Sequence, residues 1–299
     1  MRKEKFPETL IEAVRYFSDE GVCRDFVEQL RWPDGVTCPR CEGTEIGRIT
    51  SRNLWRCKSC PYEFTVKKGT IFEDSPIALS KWLPALWMYS NFTKGVSSHQ
   101  LAKHLGVTQK TAWFMAHRIR LAMEVGGIDR PLSGEIEADE TSIGGKAKFQ
   151  HESRRTNIGT GPVDKTIVAG LLERGGDVRA KVVPSRRKGT LQAHVRTSIL
   201  PGSTVYTDAL KSYEGLDGDC IHGVIDHAER YVEGRIHTNG LENFWSLFKR
   251  MVYGTHRSVD PEHLGRYLAE ATACFSGHKA TASARFTTIT SGIVGKRIT

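Results

Sequence analysis

The stretch GEIEADET, Gly134 to Thr141, opens the part of the chain that decides its fold. Its apolar residues, Ile136 and Ala138, alternate with acidic ones, which is typical of a β-strand with one buried face. Two more strand patterns follow, KTIVAGLLE (165–173) and VRAKVVPS (178–185), with the turn sequence RGGD between them. The domain therefore begins with three consecutive predicted strands.

Helices and strands alternate after this run. The predicted elements are a helix in GTLQAHVRTSI (189–199), a strand in STVYTDAL (203–210), a short helix in KSYEGL (211–216), a strand in CIHGVIDH (220–227) and a long helix in GLENFWSLFKRMVYG (240–254). Such a series forms a mixed sheet with helices packed against it. The order predicts a ribonuclease H-like mixed α/β domain, in which the first and fourth strands are neighbours.

Three acidic side chains fall where this topology would bring them together. Asp139 ends the first strand, Asp208 ends the fourth, and Glu242 lies in the first turn of the long helix. Three carboxylates that converge at one place suit Mg²⁺ or Mn²⁺ far better than zinc. Two turns after Glu242, Lys249 returns to nearly the same side of the helix, about 10 Å along its axis. It can therefore serve the same site.

Each of these acids could instead be an ordinary solvated carboxylate, and other acids compete for the same roles. The strongest competitor is Glu137, which shares a strand face with Asp139. The remaining competitors are Glu140, Asp217, Asp219 and Asp226. The nearby histidines, His222, His227 and His237, are expected to be structural, with His237 the best functional candidate. The joint placement of the three acids favours them over the competitors.

Four of the seven cysteines form two C-x-x-C pairs, CPRC (38–41) and CKSC (57–60). The spacing between the pairs, from Cys41 to Cys57, is typical of two hairpin tips around one tetrahedral Zn²⁺. We therefore expect Cys38, Cys41, Cys57 and Cys60 to hold one structural zinc in a small β zinc ribbon. Disulfide pairing is the alternative, and it is disfavoured because the sequence shows no secretory signal.

The segments around the cysteines have helical spacing. Two short helices broken at Gly21 are predicted before the ribbon, and a helix starting at Ser75-Pro76 after it. SSHQLAKHLGVTQKTAWFMAHRIRLAM (97–123) then places polar caps before and after a turn at Gly106, a helix-turn-helix pattern. In DNA-binding versions the start of the second helix faces a groove, although ordinary helical hairpins share the pattern. The predicted DNA contacts are Thr108, Gln109, Lys110, Thr111 and Arg118.

Glycine, proline and a loss of periodicity at GGIDRPLSG (126–134) mark a domain boundary. The whole chain is thus predicted to be an α+β multidomain protein. Its predicted parts are N-terminal helices at 1–30, the zinc ribbon at 31–72, the helix-turn-helix DNA-binding region at 73–128, the ribonuclease H-like domain at 131–280 and a C-terminal tail at 281–299.

The charge of the chain points to a polyanionic partner. Lys and Arg outnumber Asp and Glu by 43 to 34, a formal net charge of +9, so nucleic acid is the first partner expected. No apolar run approaches the roughly 18 residues of a membrane-spanning helix. The N-terminus also lacks the apolar core of a secretory signal. We expect no membrane partner and a cytoplasmic location, on the nucleoid when DNA is bound.

The motifs together resemble those of a known family, the bacterial insertion-sequence DDE transposases of the ISXO-like type with an N-terminal zinc ribbon. The blocks that carry the resemblance are RWPDGVTCPRC, KGTIF, ADETSIGGK, VYTDALKSY and HTNGLENFWSLFKRMVYGTHRSV. The resemblance implies that Asp139, Asp208 and Glu242 are the catalytic acids. It also implies a basic catalytic residue at Lys249 and an amide at Asn239.

The family resemblance implies a function as well. Such proteins bind terminal inverted repeats of double-stranded DNA, cut the strands and join them to target DNA with divalent metal, here Mg²⁺ or Mn²⁺ and expected as two ions. A homo-oligomer in the synaptic complex is expected. Two alternatives stay open, a metal-dependent nuclease without strand transfer and a non-catalytic DNA-binding regulator descended from a transposase.

Overall fold

The chain forms two compact units, Met1–Gly126 together with Lys279–Thr299, and Gly127–His278. A computed structural model describes residues 6–124, 130–144, 165–208, 210–216, 218, 220–225 and 237–296. Within these residues, no helix has the length and apolar character needed to cross a membrane.

The first unit begins with two helices, α1 (Leu10–Tyr16) and α2 (Glu20–Arg31). The predicted break at Gly21 was slightly misplaced, because Asp19 caps the second helix. The Asp19 carboxylate accepts hydrogen bonds from the backbone N–H groups of Gly21 and Val22. An Asp cap satisfies amides that have no partner within the helix, and it places the glycine harmlessly in the first turn.

The zinc ribbon follows as a small antiparallel sheet. Its strands are β1 (Ile46–Ile49), β2 (Leu54–Cys57) and β3 (Glu63–Phe64), paired in the order β1-β2-β3. Trp55 and Phe64 are buried and stack with ring centroids 6.3 Å apart. The ring of Trp32, at the end of α2, packs edge-on against both. So small a sheet buries little apolar surface besides these rings, and a bound metal would add the stability that such a core lacks.

Helix α3 (Leu79–Asn91) starts later than the Ser-Pro pattern predicted. The two oxygens of Glu20 accept hydrogen bonds from the amides of Leu79 and Ser80, at 2.9 and 3.0 Å. A carboxylate from α2 therefore caps α3 and determines where it begins. The aromatic side chains Trp82 and Trp87 are fully buried and belong to the core.

Helices α4 (Ser98–Leu105) and α5 (Gln109–Met123) occupy the predicted helix-turn-helix segment. Ser97 forms a capping box with Gln100, as the polar start of the segment predicted. Gly106 has a φ of +61°, which a glycine adopts without the steric cost that a Cβ would add. The helices and the sharp turn therefore match the sequence pattern.

The segment expected to be a C-terminal tail contains a helix, α9 (Ala282–Ser291), within the first unit. Its Phe286 is fully buried, with ring centroids 5.6 Å from Phe17 and 5.2 Å from Trp87. The helix was not anticipated from the sequence, because its few buried apolar side chains, Phe286 and Ile289, give only a weak helical pattern.

The second unit contains a five-stranded mixed sheet. Its strands are β4 (Glu135–Ile143), β5 (Thr166–Glu173), β6 (Val178–Val183), β7 (Thr204–Asp208) and β8 (Ile221–Ile225). They lie in the order β6-β5-β4-β7-β8. The first three pair antiparallel, whereas β7 pairs parallel with both β4 and β8. The first and fourth strands of the unit are thus neighbours, as predicted.

Helices cover both faces of this sheet. On one face, α6 (Lys188–Ser198) packs against Ile136 and Ala138 of β4. On the other, α7 (Asn239–Arg250) and α8 (Leu264–Ser276) pack against Ile143 and the facing residues of β5. Even-numbered residues of β4 therefore face α6 and odd-numbered ones face α7. The predicted short helix at KSYEGL is a single 3₁₀ turn, Lys211–Tyr213.

Candidate active site

The two predicted catalytic aspartates lie on neighbouring parallel strands. The β4–β7 ladder pairs Glu135 with Thr204 and ends with Glu137 opposite Tyr206. Continued by two further positions along each strand, the same register places Asp139 opposite Asp208. Both lie on the sheet face that α7 covers, because alternate residues of a strand share a face.

Asp139 does not end its strand, contrary to the sequence prediction. β4 continues to Ile143 because its pairing with β5 extends from Ile136 to Ile143. Its ladder with β7, in contrast, stops at Glu137. Asp139 therefore lies just past the ladder on the β7 side, where the strands no longer share hydrogen bonds. Asp208 does end β7, and its Oδ1 accepts a hydrogen bond from the amide of Leu210.

The surroundings of Asp139 disfavour its ionised form. Burial, followed by the negative charges of Glu140 and Asp208, raises the pKa of Asp139 to about 7. One opposing contact is the indole Nε1–H of Trp245, which donates to Oδ2 of Asp139 at 3.0 Å. A divalent cation between Asp139 and Asp208 would offset the repulsion, and carboxylate oxygens are the ligands that Mg²⁺ and Mn²⁺ prefer. The residues present therefore fit such an ion.

Helix α7 presents the remaining predicted site residues. Glu242 and Lys249 lie within about 60° and 40° of Trp245 around the helix, since each residue turns it by about 100°. Both therefore border the flank of α7 that contacts Asp139. Among the described residues, Lys249 makes no ion pair or side-chain hydrogen bond. Asn239 is the first residue of α7 and is exposed.

The competing acid Glu137 anchors α7. Its buried carboxylate accepts a hydrogen bond from the backbone N–H of Leu241 at 2.9 Å, in the first turn of the helix. It also accepts one from Arg174 at 3.1 Å and lies 3.3 Å from Nδ1 of His237. A Cβ at Gly240 would lie 2.9 Å from Glu137 Oε2, so the glycine permits this close approach. These contacts hold the start of α7 on β4, and the sequence missed the role of Arg174.

The competing acid Glu140 faces the α6 side of the sheet. Its Oε2 accepts a hydrogen bond from the hydroxyl of Tyr213 at 3.1 Å, and its Oε1 lies 3.4 Å from Nε of Arg186. Burial and the nearby carboxylates raise the pKa of Tyr213, so its hydroxyl stays protonated and can donate. Glu140 therefore links β4 to the 3₁₀ turn after Asp208. Three other sequence candidates, Asp217, Asp219 and Asp226, lie outside the described residues.

The four predicted zinc ligands converge in the ribbon. The sulfur atoms of Cys38, Cys41, Cys57 and Cys60 all lie within 4.8 Å of one another. The Cys38–Cys60 and Cys41–Cys57 sulfur pairs are each 3.6 Å apart. A tetrahedral zinc site would space its sulfurs by about 3.8 Å. The cluster therefore supports one structural zinc, and disulfides play no part in it.

Some of the predicted DNA-contact residues at the start of α5 already form hydrogen bonds within the protein. Thr108 caps α5 by accepting a hydrogen bond from the amide of Thr111, and Gln109 donates to the hydroxyl of Ser98 at 2.9 Å. Lys110 is exposed and makes no ion pair among the described residues. A charged side chain thus remains available at the exposed start of the helix.

Arg118 differs from the other four. Its Nη1 donates to the backbone carbonyls of Ile71 and Glu73, at 3.1 and 2.7 Å. The guanidinium ties α5 to the loop before α3, so Arg118 has a structural role, and its DNA contact stays a prediction. The sequence could not reveal this, because the two carbonyls are far from Arg118 along the chain.

The raised pKa of Asp139 predicts a gain in stability for Asp139→Asn in the absence of Mg²⁺ or Mn²⁺. The unfolded side chain ionises near pH 4 and the folded one near pH 7, so the folded state binds more protons between these values. Its stability therefore falls as the pH rises through this window. Above pH 7 the variant should be more stable than the wild type by at most about 4 kcal/mol, and near pH 4 by almost nothing.

The difference in stability between Asp139→Asn and the wild type is measured by urea unfolding at pH 5 and pH 8. Amide exchange in β4 and β5 reports the unfolding. The buffer contains no free divalent cation, and the ribbon keeps its zinc. An equal stability change at the two pH values would show that the Asp139 carboxyl titrates normally.

Two parts of the chain match family models of known proteins. Residues 131–272 match the family model of an ISXO2-like transposase domain, and residues 18–63 match that of a transposase zinc-ribbon domain. No solved structure matches the chain.

Two curated relatives carry the comparison further. A protein of Halobacterium salinarum, described as an uncharacterized protein in transposable element ISH50, is 30% identical over 274 residues, which cover 85% of this chain and 90% of the relative. An uncharacterized transposase-like protein of Haemophilus influenzae is 36% identical over 90 residues, which cover 30% of this chain and 72% of the relative. The first likeness spans both units and the family models cover the ribbon and the sheet, so the chain belongs to the ISXO2-like transposase family with its transposase zinc ribbon.

Proposed function

We propose that this protein is an insertion-sequence transposase that binds the terminal inverted repeats of its element and catalyses metal-dependent strand cleavage and strand transfer. The observation that carries the proposal is the register match between Asp139 and Asp208 on neighbouring parallel strands. Family membership supports the same reaction class. The order β6-β5-β4-β7-β8, with three antiparallel strands followed by two parallel ones, supports a ribonuclease H-like fold for the second unit.

The proposed chemistry assigns a role to each site residue. Asp139, Asp208 and Glu242 would hold the divalent metal, whose chemistry would be to activate a water or a 3′-hydroxyl and to stabilise the leaving oxygen of a phosphodiester. Lys249 places its ammonium beside the DNA phosphate. Asn239, at the exposed start of α7, orients the DNA through its amide. Hydrolysis and strand transfer then use one site with different nucleophiles.

The first unit supplies DNA binding in this proposal. The helix start around Lys110 contacts the element's ends, together with the exposed Thr108 and Gln109. The net charge of +9 favours a polyanionic partner. The working assembly is a homo-oligomer that holds two ends together, in the cytoplasm and on the nucleoid.

The test is a cleavage and joining assay. Purified protein, labelled DNA from the element's ends and plasmid target are combined with Mg²⁺ or with Ca²⁺. With Mg²⁺, a transposase yields both cut ends and joined products. Cut ends that never join would indicate a nuclease, and end binding without cutting would indicate a DNA-binding regulator.

Lys249→Ala should lower both cleavage and strand transfer by about tenfold or more, because the variant lacks the charge beside the phosphate. The fold should be little affected, since a substitution at this partly exposed helix position costs about half a kcal/mol or less. Lys249→Arg should recover part of the activity, because it keeps the positive charge but replaces the compact ammonium with a planar guanidinium.

The neighbouring Arg250→Ala serves as the matched control, because Arg250 donates to Ser246 on its own helix. Initial rates and the salt dependence of donor binding are the measurements. Unchanged rates in Lys249→Ala would make Lys249 an ordinary solvated lysine.

A further inference from the structure

The side chain that holds Asp139 comes from α7. Trp245 is 4% exposed, and its indole Nε1 lies 3.0 Å from Asp139 Oδ2. It is the sole tryptophan of the sequence between Gly127 and His278. An indole N–H can donate but cannot accept a hydrogen bond. Oδ2 of Asp139 must therefore face the indole, which restricts the rotation of the carboxylate. The helical pattern of GLENFWSLFKRMVYG does not reveal the direction of the Trp245 N–H group.

The place of the indole ring depends on Gly170. This residue of β5 pairs directly with Asp139 across the antiparallel ladder. A Cβ at Gly170 would lie 2.6 Å from Cζ2 and 2.8 Å from Cη2 of Trp245. Real Cβ atoms do not approach a rigid ring so closely, so any other residue would push the ring away. The glycine therefore lets the indole lie beside Asp139.

Helix α7 is fastened to β4 at two points. The first is the bond from the Leu241 amide to Glu137, and the second is the bond from Trp245 to Asp139. These two residues of α7 are about one turn apart, and Glu242 lies between them. The helix that carries the third acid is therefore tied to the strand that carries the first.

We propose that Trp245 is a positioning residue of the metal site. Its N–H engages Oδ2 of Asp139 and so fixes the orientation of a carboxylate that would hold the cation, and it holds the flank of α7 that bears Glu242 against β4. Gly170 supports this role by making room for the ring. The inference rests on the proposed function, because it assumes that these acids bind a divalent cation.

The test measures Mn²⁺ binding to the zinc-loaded full-length protein without DNA. Trp245→Phe keeps an aromatic ring and removes the donor, and it should weaken Mn²⁺ binding about tenfold or more, the usual effect of removing a partner of a metal ligand. Gly170→Ala should have a similar effect because it displaces the ring. Replacing Trp245 with benzothienylalanine, which has sulfur in place of the N–H, removes the donor with almost no change of shape.

Phe248→Leu is the matched control. Phe248 is buried on the same helix, one turn further on, and belongs to the same core cluster. Its loss of packing should leave Mn²⁺ binding within about twofold of the wild type. In ¹⁵N spectra, the indole signal that disappears in Trp245→Phe should also shift when Mg²⁺ is added to the wild type.

The outcomes separate this inference from the proposed function. Weaker Mn²⁺ binding in Trp245→Phe and in the benzothienylalanine protein, with Phe248→Leu unchanged, supports the positioning role. Wild-type Mn²⁺ affinity in a folded Trp245→Phe protein overturns it while the metal site stands. Equal Mn²⁺ affinity in Asp139→Asn and the wild type overturns the metal site itself, and the inference with it.

Discussion

Asp139→Asn, Asp208→Asn and Glu242→Gln are each expected to reduce Mg²⁺-dependent cleavage of donor DNA by at least about a thousandfold, equivalent to about 4 kcal/mol of activation free energy. Each variant removes one negative charge and one strong ligand from a site that must hold a divalent cation. Binding of the element's ends should stay within about twofold, because the proposed contacts of α5 are unchanged. Initial cleavage rates and filter-binding affinities measure the two effects.

Glu262→Gln is the matched control for this series. Glu262 also lies in the second unit, its side chain is 77% exposed, and it contacts His263 at 3.7 Å. The same loss of one charge should leave its cleavage rate unchanged. If any one of the three site variants cut at the wild-type rate, that residue would be removed from the proposed triad.

Cys38→Ser and Cys57→Ser are expected to unfold the ribbon, with loss of the bound zinc and much weaker binding to the element's ends. A structural zinc supplies about 10 kcal/mol or more of folding free energy in small modules, and the three remaining thiolates cannot keep most of it. Zinc content by atomic emission should fall from about one per chain towards zero. Amide exchange should accelerate in β1 to β3, while β4 and β5 stay protected.

Cys23→Ser gives the matched control. Cys23 is buried in α2 of the same unit, and its thiol donates to the carbonyl of Phe17 at 3.3 Å, a bond that a hydroxyl can replace. Its zinc content should equal that of the wild type. Purified wild-type protein without zinc, and with a protected ribbon, would falsify the structural role of the metal.

Much of the fold was predictable because its signals are local. The period of two in GEIEADET, the helical periodicity of GLENFWSLFKR and the caps at Ser97 and Thr108 each appear within one element, and the structure has these elements there. The zinc cluster was equally predictable, because two C-x-x-C pairs at this spacing leave few other arrangements.

Part of the candidate site could be anticipated as well. The prediction that the first and fourth strands of the sheet are adjacent is confirmed, and it places Asp139 and Asp208 at one edge of the ladder. The precise end of β4 could not be predicted, because its two ladders differ in length. Pairing with β5 continues to Ile143, whereas pairing with β7 stops at Glu137.

The sequence by itself determined most of the elements, the four cysteines that form the zinc cluster and the two aspartates that lie on adjacent strands. Only the tertiary structure decided that Glu137 caps α7, that Arg118 serves the fold and that Trp245 donates to Asp139. The physical reason is the range of the interactions. Strand and helix periodicity is a property of neighbouring residues, whereas these hydrogen bonds join atoms far apart along the chain, whose approach depends on the packing of whole elements.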